Sequence, residues 1–222
     1  AVWKMPRYGT FNLHASLLPQ YRGAAPINWA IINGEKETGV TTFFLEHKID
    51  TGKIIMQEKV SIGTDETAGE LHDKLKNVGA QLVLKTVHAI IADEISLTEQ
   101  SFIVKGNLKS APKIFKEDCR VDWSKTTTEI HNFIRGLSPY PTAWTELQNE
   151  SGQKTILKIF KSRRETVRHN YSLATIITDK KSFVKIAVKD GFITLHEIQL
   201  AGKNKMTIAE FMRGFSFENY TL

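Results

Sequence analysis

Short β-rich runs in the last third of the sequence limit the possible folds most strongly. The five runs are TAWTEL, TILKIFK, SLATIIT, SFVKIAV and FITLHEIQL, and the stretches between them include the turn formers NESG, DKK and KDG. Short strands at this spacing, each bounded by turn signals, are typical of a small barrel or a sandwich. We therefore predict a small β-barrel for this part of the chain.

The first part of the sequence alternates between strand-like and helix-like patterns instead. Residues 9–15 have the pattern of a short strand, and Pro26 suits the first turn of a helix. Two β-rich runs, TGVTTFFLEHKI and KIIMQEKVSI, flank an Asp-Thr-Gly turn. Thr67 and Glu70 then have capping-box spacing, and apolar residues at steps of three and four predict an amphipathic helix running towards Ile91. This alternation predicts an α/β domain.

A boundary between the two patterns is expected where periodicity disappears. The stretch from residue 93 to 115 contains Gly106 and Pro112 and predicts a surface linker. One further helix is predicted after it, because an apolar stripe runs up to the helix-ending SPYP and consists of Ile130, Phe133, Ile134 and Leu137. We predict an α/β domain over 1–98, a linker over 99–115 and a β-barrel domain over 116–222.

Composition excludes several classes of protein. No apolar run reaches the roughly 18–20 residues of a membrane span, and no secretory signal is visible at the start. The single Cys119 cannot form an internal disulfide, which favours a reducing compartment, and we expect the cytoplasm. The histidines after His14 lack the spacing of a metal site, so we expect no metal. They are His47, His72, His88, His131, His169 and His196.

Charge is distributed unevenly along the chain. The net charge is +6, of which residues 1–98 contribute −1 and residues 99–222 contribute +7. A basic second half suits a polyanion such as RNA, and it equally suits a solvated surface that binds no partner. Charge alone leaves both interpretations open.

Three polar residues in the first part are candidates for chemistry. Asn12 and His14 alternate along the predicted strand, so their side chains share one face about 6–7 Å apart. Open α/β sheets bind ligands beyond the carboxyl ends of their strands, where the next loop supplies Asp50. Each residue alone also has a purely structural explanation. Asp-Thr-Gly occurs in aspartic proteases too, but that chemistry needs a second copy, which this sequence lacks.

Three stretches, FNLHASLLPQYRGAAPINWAI, TGVTTFFLEHKIDTGKII and FKEDCRVDWS, resemble the methionyl-tRNA formyltransferase family. The Asn-x-His-x-Ser-Leu-Leu-Pro signature with a later Asp-x-Gly is shared by enzymes that use 10-formyltetrahydrofolate. RGAAPI, the Asp-Trp-Ser at 122–124 and AGKNKM are similar to the tRNA-directed branch. The resemblance implies an α/β fold class: a partial Rossmann-like formyltransferase catalytic domain, lacking its amino-terminal part, followed by a small OB-like β-barrel.

The resemblance also implies roles for individual residues. Asn12, His14 and Asp50 occupy catalytic positions, and the folate-contacting stretch is Ser16, Leu17, Leu18 and Pro19. The implied reaction moves a formyl group from 10-formyltetrahydrofolate, without a metal, to the α-amino group of methionine on initiator methionyl-tRNA. The family suggests a cytoplasmic monomer that binds no membrane.

Basic residues provide candidate contacts to the tRNA. Arg22 either contacts a phosphate or anchors its own loop. A row in the second half alternates along a predicted strand and comprises Lys154, Lys158, Lys161, Arg163 and Arg164, with Arg168 beyond it. Two alternatives remain open: formyl transfer to a nucleotide or an amino sugar, and an inactive truncated fragment that binds RNA.

Overall fold

A computed structural model describes residues 2–103 and 106–222, which form two compact units. The first unit contains the described residues of Ala1–Ala30 and Glu35–Lys113, and the second contains Ile31–Gly34 and Ile114–Leu222. Val104 and Lys105 of the predicted linker lie outside the described residues.

A three-stranded sheet forms the centre of the first unit. Its strands are β1 (Phe11–His14), β3 (Glu37–Phe44) and β4 (Ile54–Ser61), in the order β1-β3-β4. Both pairings are antiparallel, with Phe11 opposite Phe44 and His14 opposite Thr41. The carboxyl ends of β1 and β3 therefore point in opposite directions. The sequence instead predicted His14 and the Asp50 loop together beyond the carboxyl ends of the strands.

One long helix packs against this sheet. Helix α2 (Ala68–Ala92) begins with the predicted capping box, in which the Thr67 side chain accepts from the Glu70 amide and Glu70 accepts from the Thr67 amide. Its buried face carries Leu71, Leu75 and Leu82 at helical spacing. A hydrogen bond of 2.9 Å between the hydroxyls of Thr86 and Thr42 connects the helix to β3. The predicted helix is thus confirmed.

Short elements complete the first unit. Helix α1 (Pro26–Ile32) begins at the predicted proline, and all but its last two residues belong to this unit. Strand β2 (Arg22–Gly23) pairs in parallel with β5 (Ser110–Ala111), and a 3-10 turn covers Gln100–Phe102. The predicted linker therefore contains secondary structure that the sequence did not reveal, because elements of two or three residues are too short to show a hydrophobic period.

The second unit is a nearly closed antiparallel barrel with helix α3 (Thr127–Leu137) packed on it. The strands are β6 (Ala143–Asn149), β7 (Lys154–Thr166), β8 (Ile176–Thr178), β9 (Val184–Val188), β10 (Gly191–Leu200), β11 (Met206–Thr207) and β12 (Tyr220–Thr221); the short helix α4 is Ile208–Phe211. Their order in the sheet is β12-β6-β7-β10-β9-β8, and β11 pairs with β10. All five β-rich runs of the sequence contribute strands.

The barrel core lies between α3 and the strands. Ile134 and Leu137 of the predicted stripe are fully buried, together with Leu157 and Ile159 of β7 and Ile193 of β10. Among the described residues, no helix combines the length and the apolar character that crossing a membrane requires.

Shortening a core side chain of α3 should destabilise the barrel. Ile134→Ala removes a fully buried side chain, and we expect the free energy of unfolding to fall by about 2–5 kcal/mol through lost burial and the remaining cavity. Leu173→Ala is the control, because Leu173 is 51% exposed. Chemical denaturation followed by tryptophan fluorescence measures both, and equal losses would contradict this description of the core.

The single cysteine should be unreactive in the folded protein. Burial raises the pKa of the Cys119 thiol to about 11, and the charges of Asp118 and Glu117 add to the increase. Because the thiolate is the reactive form, a thiol-specific reagent at pH 8 should label Cys119 only after unfolding in guanidinium. Rapid labelling of the native protein would be inconsistent with this burial.

Candidate active site

His14 ends strand β1 and is only 6% exposed. Its Nε2 lies 2.8 Å from the main-chain oxygen of Tyr21. A carbonyl oxygen only accepts hydrogen bonds, so Nε2 carries the hydrogen in this contact. Nδ1 faces the Asp50 carboxylate, with 3.7 Å between Nδ1 and Oδ2. The Tyr21 carbonyl and the Asp50 carboxylate therefore face the two ring nitrogens.

Asp50 lies in the loop between β3 and β4 and reaches back to the end of β1. Its backbone has a positive φ of 53°, and its side chain is 13% exposed. Asp50 Oδ2 accepts a hydrogen bond of 3.0 Å from the Gly23 amide, which fixes the carboxylate beside the ring. The separation from His14 is that of an ion pair and is too long for a hydrogen bond.

Two glycines allow the backbone to approach closely around Asp50. A Cβ on Gly52 would lie 1.7 Å from the main-chain oxygen of Phe44, so the Asp-Thr-Gly turn requires glycine at its last position. Gly23 has a φ of 127°, and a Cβ there would lie 2.4 Å from the main-chain oxygen of Ala111. The glycine of RGAAPI therefore permits the pairing of β2 with β5 that presents its amide to Asp50.

Asn12 precedes His14 by two positions in a strand with regular pairing. Asn12 lies opposite Phe43 and His14 opposite Thr41, so both side chains are on the same face of β1. Asn12 is exposed whereas His14 is buried. The structure thus leaves the amide accessible from solvent and encloses the imidazole beside the carboxylate.

The stretch predicted to contact folate forms a compact turn. Ser16 is fully buried, and its hydroxyl donates to the main-chain oxygen of Gln20 at 2.6 Å. Leu18 packs in the core beside Phe43. Leu17 is only half-buried and is the member of this core-facing turn with the most accessible side chain. The role of this stretch stays a prediction.

Arg22 donates to a residue that the sequence argument missed. Its Nε and Nη2 lie 3.0 Å and 2.6 Å from Gln100 Oε1, and Gln100 is 2% exposed. Gln100 is next to the Asp50 loop as well, because its Nε2 donates to the main-chain oxygens of Asp50 and Gly52. No motif in the sequence indicated Gln100, since it lies in the stretch without periodicity.

A partly exposed network holds the residue whose carbonyl faces His14. The Tyr21 hydroxyl donates to Glu35, which also pairs with Lys109 at 2.6 Å. Burial alone would raise the pKa of Glu35, but the hydrogen bonds from Lys109 and Tyr21 and the charge of Lys109 hold it below its usual value. Tyr21 is therefore anchored through its hydroxyl, while its main-chain oxygen faces His14.

The basic row of the second unit follows β7. A bulge opposite β10 leaves Phe160 and His196 unpaired between the pairs Ile159–Ile198 and Ser162–Leu195, with Lys161 opposite Glu197. Because Leu157, Ile159 and Ser162 all face inward, the bulge places exposed residues on the outer face of the strand, namely Lys154, Lys158, Lys161 and Arg163. Arg164 has the opposite orientation and donates to the Thr128 hydroxyl at 3.2 Å.

The charge of this row affects a neighbouring histidine. Desolvation lowers the pKa of His196, and the positive charges of Lys161 and Arg163 lower it further. The neutral form of His196 is therefore favoured beside these cations. Within the ranges 2–103 and 106–222, no group of three or more acidic, histidine or cysteine side chains is arranged to hold a metal ion.

Comparison with known proteins identifies two family regions. Residues 1–87 match the model described as "Formyl transferase", and residues 113–216 match "Formyl transferase, C-terminal domain". Proteins named methionyl-tRNA formyltransferase from Azobacteroides pseudotrichonymphae and Bacteroides thetaiotaomicron are 57% and 52% identical over 97% and 96% of this chain. The chain spans 68% and 67% of the lengths of these relatives.

Solved structures support the same assignment of the fold. The N-formyltransferase from Helicobacter canadensis, in complex with folinic acid and dTDP-3-aminofucose, is 27% identical, with a TM-score of 0.62 over 88% of this chain and 66% of its own. HypX from Aquifex aeolicus is 19% identical, with a TM-score of 0.65 over 92% of this chain and 36% of its own, and shows likeness in fold alone.

The predicted fold class, a formyltransferase catalytic domain followed by a small barrel, is confirmed by these matches. The identity to the curated relatives extends over nearly the whole chain and includes both units. The chain belongs to the methionyl-tRNA formyltransferase family.

Proposed function

We propose that this chain carries the reacting groups and the tRNA-binding barrel of an enzyme that formylates initiator methionyl-tRNA from 10-formyltetrahydrofolate. The observation that carries the proposal is the enclosed pair of His14 and Asp50 beside an accessible Asn12. The names of the curated relatives support the reaction, and the folinic acid in the Helicobacter canadensis complex supports a folate cosubstrate.

The reaction transfers a formyl group between two nitrogens. The α-amino nitrogen of the methionyl ester forms a bond to the formyl carbon, and the bond from that carbon to N10 of the folate then breaks. The amine loses one proton, and N10 gains one, so the products are formylmethionyl-tRNA and tetrahydrofolate. Between the two steps the formyl oxygen carries negative charge, which a fixed hydrogen-bond donor stabilises.

Asn12 supplies the accessible amide donor for that oxygen. His14 adds a second donor when it is protonated, and it reaches the substrate by sharing or exchanging the hydrogen bond that Nε2 makes to Tyr21. Asp50 holds the imidazole in place and balances its charge. His14 or Asp50, directly or through a water molecule, then passes the proton of the amine onward.

The remaining contacts follow from the two loops and the barrel. The turn that contains Ser16, Leu17, Leu18 and Pro19 adjoins His14 in sequence and provides the folate contact. The outward row on β7 follows the phosphate backbone of the tRNA, because lysine and arginine neutralise phosphates irrespective of base sequence. Gln100 engages only two of the five N–H donors of Arg22, so Arg22 can hold Gln100 and also contact a phosphate.

Removing the amide donor should lower turnover far more than stability. We expect Asn12→Ala to reduce the rate of formylation by about 100- to 1000-fold, because one oxyanion donor is lost, while the melting temperature changes little at this exposed position. Asn77→Ala is the matched control, an exposed asparagine on α2.

The assay combines 10-formyltetrahydrofolate with methionylated initiator tRNA, and uncharged tRNA serves as the blank. It is run with this chain and with a version extended at its amino terminus. Near-normal turnover by Asn12→Ala in an active enzyme would exclude Asn12 from catalysis.

The basic row should produce a salt-dependent affinity for tRNA. We expect the affinity of Lys158→Gln/Arg163→Gln to depend less steeply on salt, because about one released counterion is lost per removed phosphate contact. Lys180→Gln/Lys181→Gln changes the charge equally at a turn of the same unit and should leave the slope unaltered. Filter binding over a range of KCl concentrations measures both, and identical slopes would remove the row from the interface.

A further inference from the structure

Gln100 is a buried side chain whose hydrogen-bonding capacity is completely used. Its Nε2 donates to the main-chain oxygens of Asp50 and Gly52, at 2.9 Å and 2.8 Å. Its Oε1 accepts from Nε and Nη2 of Arg22. A carboxamide has two N–H donors and one oxygen with two lone pairs, so all four positions are filled. Only an amide side chain both donates and accepts in this way.

These hydrogen bonds complete a closed ring of contacts that includes the proposed catalytic carboxylate. From Gln100 the ring runs through the Asp50 main chain to the Asp50 carboxylate, and from there to the Gly23 amide. Gly23 is bonded covalently to Arg22, whose guanidinium returns to Gln100. The ring joins β2 to the β3–β4 loop, which are separate elements brought together in the fold.

The ring determines where Asp50 is held. Asp50 and Gly52 flank a turn that has a positive φ at its first residue and no room for a side chain at its last. Their carbonyls converge on one carboxamide, so the main chain of the turn is held at both of these residues, while the carboxylate accepts from Gly23. The carboxylate is thereby kept between Gly23 and His14, at the 3.7 Å separation described above.

We infer that Gln100 is a positioning residue for formyl transfer, which holds Asp50 against His14 by joining the Asp50 turn to Arg22 of β2. This inference rests on the proposed function. Gln100 contacts neither His14 nor Asn12 in the described interactions, so its effect on the reaction passes through the position of Asp50. A misplacement of about 1 Å in a reacting group can cost about 100-fold in rate.

Two substitutions separate the two halves of the carboxamide. Gln100→Met has a similar length and loses all four bonds. Gln100→Glu keeps an acceptor for Arg22 but directs an oxygen at the carbonyls of Asp50 and Gly52. In the version of the chain that is active in the formylation assay, we expect kcat to fall about 10- to 100-fold in both variants, with the KM values for folate and tRNA within about twofold of the original.

Thr86→Val is the control for a general loss of stability. It removes a buried hydroxyl in the same unit, where Thr86 bonds to Thr42 and to the Leu82 carbonyl. We expect this variant to melt at a lower temperature without a change in kcat. Amide hydrogen exchange supplies a readout independent of activity, because exchange at Gly23 should accelerate in Gln100→Met and stay unchanged in Thr86→Val.

The outcomes distinguish this inference from the proposed function. If the unsubstituted enzyme does not formylate methionyl-tRNA, the proposed function fails, and the exchange at Gly23 still tests the ring. If the enzyme is active and both Gln100 variants keep their kcat, or lose it only in proportion to the fall in melting temperature that Thr86→Val calibrates, the positioning role is wrong. An unchanged exchange rate at Gly23 in a folded Gln100→Met would overturn the ring itself.

Discussion

One carboxylate oxygen, Asp50 Oδ2, is the point on which the proposed active site depends. It accepts the Gly23 amide and faces His14 Nδ1, so it joins the β3–β4 loop to β1 and β2. Burial makes this arrangement demanding, since a carboxylate removed from water needs hydrogen bonds and a countercharge. The Gly23 amide supplies the first, and the ring of His14 faces the carboxylate at the distance of an ion pair.

The antiparallel sheet explains why so much of the first unit is devoted to holding one loop. Because β1 and β3 run in opposite directions, the carboxyl end of β3 is remote from His14, and the following loop has to turn back to bring Asp50 to it. Gly52 permits that turn to pack closely against β3, and Gln100 donates hydrogen bonds to the main-chain oxygens of the turn. The identity of the residues around the site therefore depends on the space that the backbone leaves for a side chain as much as on side-chain chemistry.

The two units differ in the physical properties of their polar and charged residues. The first concentrates buried polar contacts around His14, whereas the second has an apolar core and an outer row of cations on β7. A β-bulge keeps that row on one face: without Phe160 as an extra residue, Lys158 and Lys161 would face opposite sides of the strand. The proposed reaction site and the proposed tRNA-binding row have opposite requirements for water, which favours building them on separate units.

Helices α1, α2 and α3 and the β-rich character of the second unit could be predicted from the sequence, and Asn12, His14 and Asp50 were proposed from it, because capping boxes, hydrophobic periods and the formyltransferase signature are local patterns. From the sequence, His14 and Asp50 were expected to meet because both follow the carboxyl ends of strands. That reason was wrong, because β1 and β3 are antiparallel. The strand directions, the bulge in β7 and the hydrogen bonds of Gln100 became visible only in the folded chain. Each of these depends on contacts between segments far apart in the chain, such as the 50 residues that separate Gln100 from Asp50, and no local pattern records such contacts.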